Sequence, residues 1–261
     1  DYYAFRKKVN LSDTIFESYY SFKNYLISFV DNLSFLDCLE DCKIDNQANR
    51  FSLHHNLHKL EMIDSVFENG ETKDLLLMES AVDYLNKEVN SEHIAQYMTV
   101  FHNIDKGAAV HQKIETLAES AGKLSKGNPL PEITVADVQG RIFALNEKFH
   151  APLSVVYFWD SNLQRHFKFA HNRIAQLQKN HPNIAFYGIS TSDNHTKWVK
   201  EAQVNQLDTQ TEFRAADFNK LSDLLMIKNL SRTFVVDKNG LIINASSNLF
   251  DPAIEVLLAG N

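Results

Sequence analysis

Proline is missing from the first 128 residues of this 261-residue chain; it then occurs five times, at Pro129, Pro131, Pro152, Pro182 and Pro252. Nothing therefore interrupts the i→i−4 hydrogen-bond ladder in the first half, which favours helices there. Cysteine is nearly missing too. Cys38 and Cys42 are the only two, which excludes a disulfide framework and leaves the redox compartment open. Positive charge is in short supply, with 26 Lys and Arg against 33 Asp and Glu. The net charge of −7 and the lack of a basic stripe exclude a nucleic-acid footprint. The longest apolar run, LSVVYFW, falls far short of the roughly 18 residues that span a bilayer. The eight glycines are scattered as turn residues, so no phosphate-cradling loop is present. No Gly-x-Ser-x-Gly elbow exists, and Ser161 has neither flanking glycines nor a recognisable partner, so a hydrolase is not expected. No secretory signal is visible. Residue 1 is Asp rather than Met, so the chain reads as trimmed or mature, compatible with an export signal removed upstream.

What is present is a generous apolar content, 44%, with eighteen Phe and nine Tyr. Ile94, Tyr97, Met98 and Phe101 recur at helical spacing, as do Leu53, Leu57, Leu60 and Ile63. Ser91 with Glu92 supplies a start signal and Asn69-Gly70 a stop signal. Five helices are expected, at about 12–37, 51–68, 72–88, 91–104 and 108–122. Gly, Ser, Lys and Pro then cluster in SAGKLSKGNPLP, which puts a boundary at about 122–130. The expected domains are a helical one over 1–124 and an α/β one over 125–261.

After the boundary the pattern alternates. EITVADVQGRIFAL reads as two strands about a turn at Asp137–Gly140. PLSVVYFW reads as a central strand covered on both faces. HFKFAHNRIAQLQKN is a helix with Phe169, Ile174 and Leu177 among its apolar positions. NIAFYGIS is a second buried strand and HTKWVKEAQV a helix. A further helical stretch precedes TFVVDKNGLII, two strands joined by Asp-Lys-Asn-Gly, and PAIEVLLAG closes the chain as a helix. The order β-β-β-α-β-α-(helix)-β-β-α fits a central mixed sheet flanked by helices.

Three phrases carry a family resemblance. GNPLPEITVADVQGRIFALN, VVYFW and SRTFVVDKNG resemble, in turn, the opening hairpin, the strand into the active site and the closing hairpin of thioredoxin-like proteins of the TlpA/ResA and AhpC/TSA type. The resemblance covers about 127–261. It implies a thioredoxin-like fold and, where intact, thiol–disulfide exchange by a Phe-Trp-x-x-x-Cys-x-x-Cys motif with a cis-proline nearby. Counted from Phe158 and Trp159, the two sulfur positions hold Leu163 and His166, and the cis-proline position holds Ser231. No thiolate can form at either, and the Leu230–Ser231 peptide is expected trans. A peroxidatic reading fails alike, because no Cys follows residue 42.

What the resemblance leaves is a helix terminus with the capping residues Asp160, Ser161 and Asn162. Asn162, Arg165, His166 and Arg232 are candidates for holding an anion or a carbonyl oxygen there, with Trp159 packed beneath; the bland reading is a solvated surface on a degenerate domain. Trp198 is read as core or pocket lining. Cys38 and Cys42, spaced i,i+4, read either as a pair bridged through a local turn or as two half-buried thiols; a redox-active pair is a third reading. With His54, His55 and His58 they mimic a zinc pattern, but the intervening segment lacks the finger's hairpin, so no metal is expected. Tyr2, Tyr3, Phe5 and Arg6 read as a docking segment or the residue of a longer N-terminal region.

The leading expectation is a redox-inactive binding or assembly module with an unknown protein or peptide partner, no cofactor and no nucleic acid. The alternatives are a thiol–disulfide oxidoreductase using Cys38 and Cys42 and a noncovalent binder of an acidic or peptide ligand at the helix terminus. The resembled branch is often exported, so the periplasm or envelope of a bacterium is expected, with the cytoplasm as the alternative.

Overall fold

The computed structural model describes residues 20–41, 50–88, 90–104 and 106–260. The chain divides into two compact units between Glu119 and Ser120.

The first unit is helical, with α1 (Tyr20–Asp41), α2 (Leu53–Val66), α3 (Glu71–Leu85), α4 (Ser91–Asn103) and the start of α5 (Ala108–Lys123). The first helix ends four residues beyond the expected 37, and 12–19 lie outside the described residues. On α4 the 3–4 spacing does what it promised: Ile94, Tyr97, Met98 and Phe101 are all buried. Its cap is Asn90 rather than Ser91, with Oδ1 accepting from the N–H groups of Glu92 and His93. On α2 the leucine stripe is half the story. Leu60 and Ile63 are buried, but so are the polar His55, Asn56 and Lys59. Lys59 meets Asp31 of α1 at 2.5 Å, and Asn56 Nδ2 donates to the Arg50 and Ser52 carbonyls, so these two groups are buried with partners.

The second unit contains β1 (Thr134–Ala136), β2 (Ile142–Ala144), β3 (Leu153–Trp159), α6 (Gln164–Asn180), β4 (Ile184–Ser190), α7 (His195–Val204), β5 (Glu212–Ala215), α8 (Phe218–Leu224), β6 (Arg232–Asp237), β7 (Ile242–Asn248) and α9 (Ala253–Ala259). They form one mixed sheet in the order β2-β1-β5-β4-β3-β6-β7. β3 runs parallel to β4 and antiparallel to β6, and all seven of its residues are buried. Each large side chain so buried contributes about 1.5–3 kcal/mol, so this strand anchors the unit. Its odd-numbered residues Leu153, Val155, Tyr157 and Trp159 join Phe167, Ala170, Ile174 and Leu177 of α6 in one core. The buried α6 face is therefore 167-170-174-177. Phe169, one of the apolar positions read from the sequence, sits off that stripe and is 58% exposed. On the other face Phe158 packs against Phe218 of α8 and Phe234 of β6.

The two hairpin turns fall where expected, with Gly140 and Gly240 at φ 80° and 75°. Strand β5 was not expected. Its four residues, Glu-Phe-Arg-Ala, carry two charges and too short a pattern to read. It pairs parallel with β4 and antiparallel with β1, joining the opening hairpin to the sheet. Along the outer margin of β7, Gly127 N–H donates to the Ile242 carbonyl, Ile242 N–H to Asn128, and Leu130 N–H to Gly240.

Candidate functional site

β3 ends at Trp159 and the chain turns sharply into α6. Leu163 N–H donates to the Asp160 carbonyl at 3.1 Å, and Asp160 Oδ1 accepts from Asn162 N–H at 2.8 Å. The aspartate thus closes the turn and does not cap the helix. The N-cap position is Leu163, and no side chain caps the first turn of this 17-residue helix. Asn162 Oδ1 accepts from Lys197 Nζ of α7 at 2.8 Å, which ties the turn to its neighbour. Leu163 is 53% exposed, and Arg165 is exposed without an ion pair among the described residues.

His166 looks inward. Its ring packs edge-on against Phe250 at 5.7 Å, and the Leu230 carbonyl lies beside it. Burial pulls its pKa below 6.5 against the smaller upward effect of that carbonyl, so the ring is neutral at pH 7. The Leu230 carbonyl, just before β6, therefore lies against the first turn of α6. Among the described residues no peptide is cis. Ser231 N–H donates to Asn229 Oδ1, and its carbonyl accepts from Leu249 N–H.

Arg232 departs from expectation. Its Nε donates to the Ala245 carbonyl at 2.8 Å and its Nη1 to the Met226 carbonyl at 2.9 Å. Burial lowers its pKa to about 10. A guanidinium held by backbone carbonyls ties β7 to the loop before β6. Of the four candidates, Asn162, Arg165 and His166 lie in the turn and the first turn of α6, and the Arg232 guanidinium is engaged by the Ala245 and Met226 carbonyls.

Beneath the turn lies a polar network that sequence reading missed. Tyr157, Gly188 and Glu212 are register partners across β3, β4 and β5. Gly188 has no side chain, so the Tyr157 hydroxyl reaches over it and donates to Glu212 Oε1. Trp159 Nε1 donates to Glu212 Oε2 at 2.8 Å. His171 Nδ1 donates to the Phe167 carbonyl at 2.9 Å, which leaves Nε2 facing Glu212 Oε1 at 3.4 Å. A proton on Nε2 removes the lone-pair clash with that oxygen. Burial pulls the His171 pKa down, but Glu212 and the Phe167 carbonyl together raise it. Tyr157 is driven well above its ordinary value by burial first and the Glu212 charge second. A Cβ on Gly188 would collide with the Glu212 carboxyl and stand 2.7 Å from Tyr157 Cζ. The glycine was visible in the sequence; its alignment with Glu212 was not, because β5 was unread.

Cys38 is buried on α1 at 0% exposure, and Cys42 lies outside the described residues, so their pairing is not described. Tyr2, Tyr3, Phe5 and Arg6 also lie outside them. Trp159 and Trp198 are both fully buried.

A thioredoxin-like protein from Bacteroides caccae is similar over 98% of this chain and 89% of its own, at 15% identity with a TM-score of 0.60. The fold is thioredoxin-like. The thioredoxin domain of a thiol-disulfide oxidoreductase from Bacteroides vulgatus covers 51% of this chain and 99% of its own at 20% identity, with a TM-score of 0.39. A thiol:disulfide interchange protein from a Bacteroides species covers 46% of this chain and 80% of its own at 20% identity, again with a TM-score of 0.39. No protein-family model and no curated protein sequence matches the chain. Among the described residues no helix is long and apolar enough to cross a membrane.

Proposed function

We propose that this thioredoxin-like unit is redox-inactive and serves as a binding or assembly module, holding a protein or peptide partner noncovalently at the turn between β3 and α6. The observation that carries this is the substitution pattern at the turn. Leu163 and His166 stand where the resembled TlpA/ResA and AhpC/TSA branch carries its sulfurs, and no cysteine follows Cys42 in the chain. Thiol–disulfide exchange requires a thiolate that attacks and is released through a mixed disulfide. Leucine and a neutral imidazole offer neither step.

The turn suits a partner of mixed character. Leu163 at the N-cap and Phe250 against the His166 ring present apolar surface, at 53% and 39% exposure. The uncapped first turn of α6 directs backbone donors at a carbonyl or carboxylate. Arg165 adds a positive charge beside them. The proposed setting is a bacterial cell envelope, which rests on the export common in the resembled branch.

The competing oxidoreductase reading needs Cys38 as a reactive thiolate. Reactive thiols are partly exposed, and Cys38 is fully buried, which weighs against it. Insulin reduction by dithiothreitol separates the two. The full chain is expected to leave the dithiothreitol rate unchanged. Acceleration that disappears in Cys38→Ala would overturn the redox-inactive reading.

A further inference from the structure

Away from the turn, in the helical unit, three side chains converge that the sequence gave no reason to connect. His102 lies in the last turn of α4. His111 and Glu115 lie one turn apart on α5, and only residues 104–107 separate the two helices. The His102 and His111 rings stack at 5.3 Å and 30°. Their Nε2 atoms both face the same carboxyl oxygen: His102 Nε2 contacts Glu115 Oε1 directly, and His111 Nε2 lies 3.4 Å from it. One ligand atom from each residue lies within 4.8 Å of the other two.

We propose that His102, His111 and Glu115 bind a divalent transition-metal ion of the Zn2+ class. Imidazole nitrogen and carboxylate oxygen are the donors that borderline ions take, at about 2.0–2.2 Å. Donors spaced around a tetrahedral ion at that radius stand roughly 3.3 Å apart, close to the spacing found for His111 and Glu115. Both Nε2 atoms point at the same carboxyl oxygen, so the three donors already converge on one point. An ion set between the three donors requires the His102 ring and the Glu115 carboxyl to draw apart, which their exposed side chains permit. The three side chains are 36–47% exposed, so an ion has open access and a fourth position is left for water or another donor. The site is separate from the zinc-like pattern of Cys38, Cys42, His54, His55 and His58, within which His58 pairs with Asp37 at 3.3 Å.

Titration of the full, metal-stripped chain with ZnCl2 by calorimetry tests this. One ion per chain is expected. Replacing two ligands in His102→Ala/His111→Ala is expected to weaken binding more than about 100-fold, beyond what loss of an outer partner causes. Circular dichroism confirms that the variant is folded. Co2+ is expected to give ligand-field bands without a thiolate charge-transfer band. No heat with the unsubstituted chain, heat retained in the double variant, or a thiolate band would each overturn the proposal. None of these outcomes bears on the turn between β3 and α6.

Discussion

A histidine in each unit is withdrawn from water, His55 fully and His171 in large part, and the two sit in opposite electrostatic situations. His55 of the helical unit is 1% exposed, and neither ring nitrogen has a hydrogen-bond partner among the described residues. Burial, aided by the nearby Lys59 charge, pushes its pKa down to about 4. His171 of the α/β unit is also largely enclosed, but Glu212 faces it and its pKa rises. The same side chain thus has its proton affinity lowered in one unit and raised in the other. What differs is whether a carboxyl group shares the site, and that depends on which strands and helices meet, not on the histidine itself.

The contrast has consequences for stability. His55 takes up protons more readily when unfolded, so its contribution is complete above about pH 6.5 and is lost as pH falls toward 4. His171 holds its proton more tightly when folded, so its contribution is complete below the unfolded value and is lost as pH rises through the folded one.

The largest break in this comparison is Glu212→Ala. It strands Tyr157, Trp159 and His171 at once, and a loss of about 3–5 kcal/mol is expected in urea unfolding. His171 should then titrate below 6.5, as His55 does. An imidazole resonance that still titrates above 6.5 in this variant would show that Glu212 is not the cause. Next comes the acid side. His55→Gln is expected to flatten the unfolding free energy between pH 6.5 and 4, where the unsubstituted chain loses at most about 3 kcal/mol from this group. An unchanged slope would assign the acid sensitivity elsewhere. The smallest effect is Gly188→Ala, which crowds the row from Tyr157 to Glu212 and should cost about 1–3 kcal/mol. A neutral result would mean that the two side chains can separate without loss.

Much of the α/β unit was legible because its signals are local. Seven apolar residues in a row announce β3, and Asp-x-x-Gly announces both hairpin turns. The turn with Leu163 and His166 could be placed by counting from Phe158 and Trp159. The parts that escaped depend on what the chain brings together across distance. Glu212 belongs to a four-residue strand with no periodicity, and its partners are 41 to 55 residues away in sequence. Arg232 looked like a ligand-facing charge until its backbone acceptors were known. His55 and Lys59 are buried off the leucine stripe, on a face whose partners the leucine spacing does not reveal. His102 and Glu115 are 13 apart on different helices, a spacing no linear motif describes.

The segment Gly127–Leu130 also shapes how this protein meets others. By bonding to Ile242 and Gly240 it occupies part of the sheet's β7 border, and the opposite border, β2, is only three residues long. The row of amides open to a visiting strand is thereby shortened at the start of β7 and is short throughout on β2. Where the hairpin enters β7, a few hydrogen bonds made just after the chain leaves its last N-terminal helix occupy the place that β-augmentation, or the runaway polymerisation the same chemistry permits, would otherwise use.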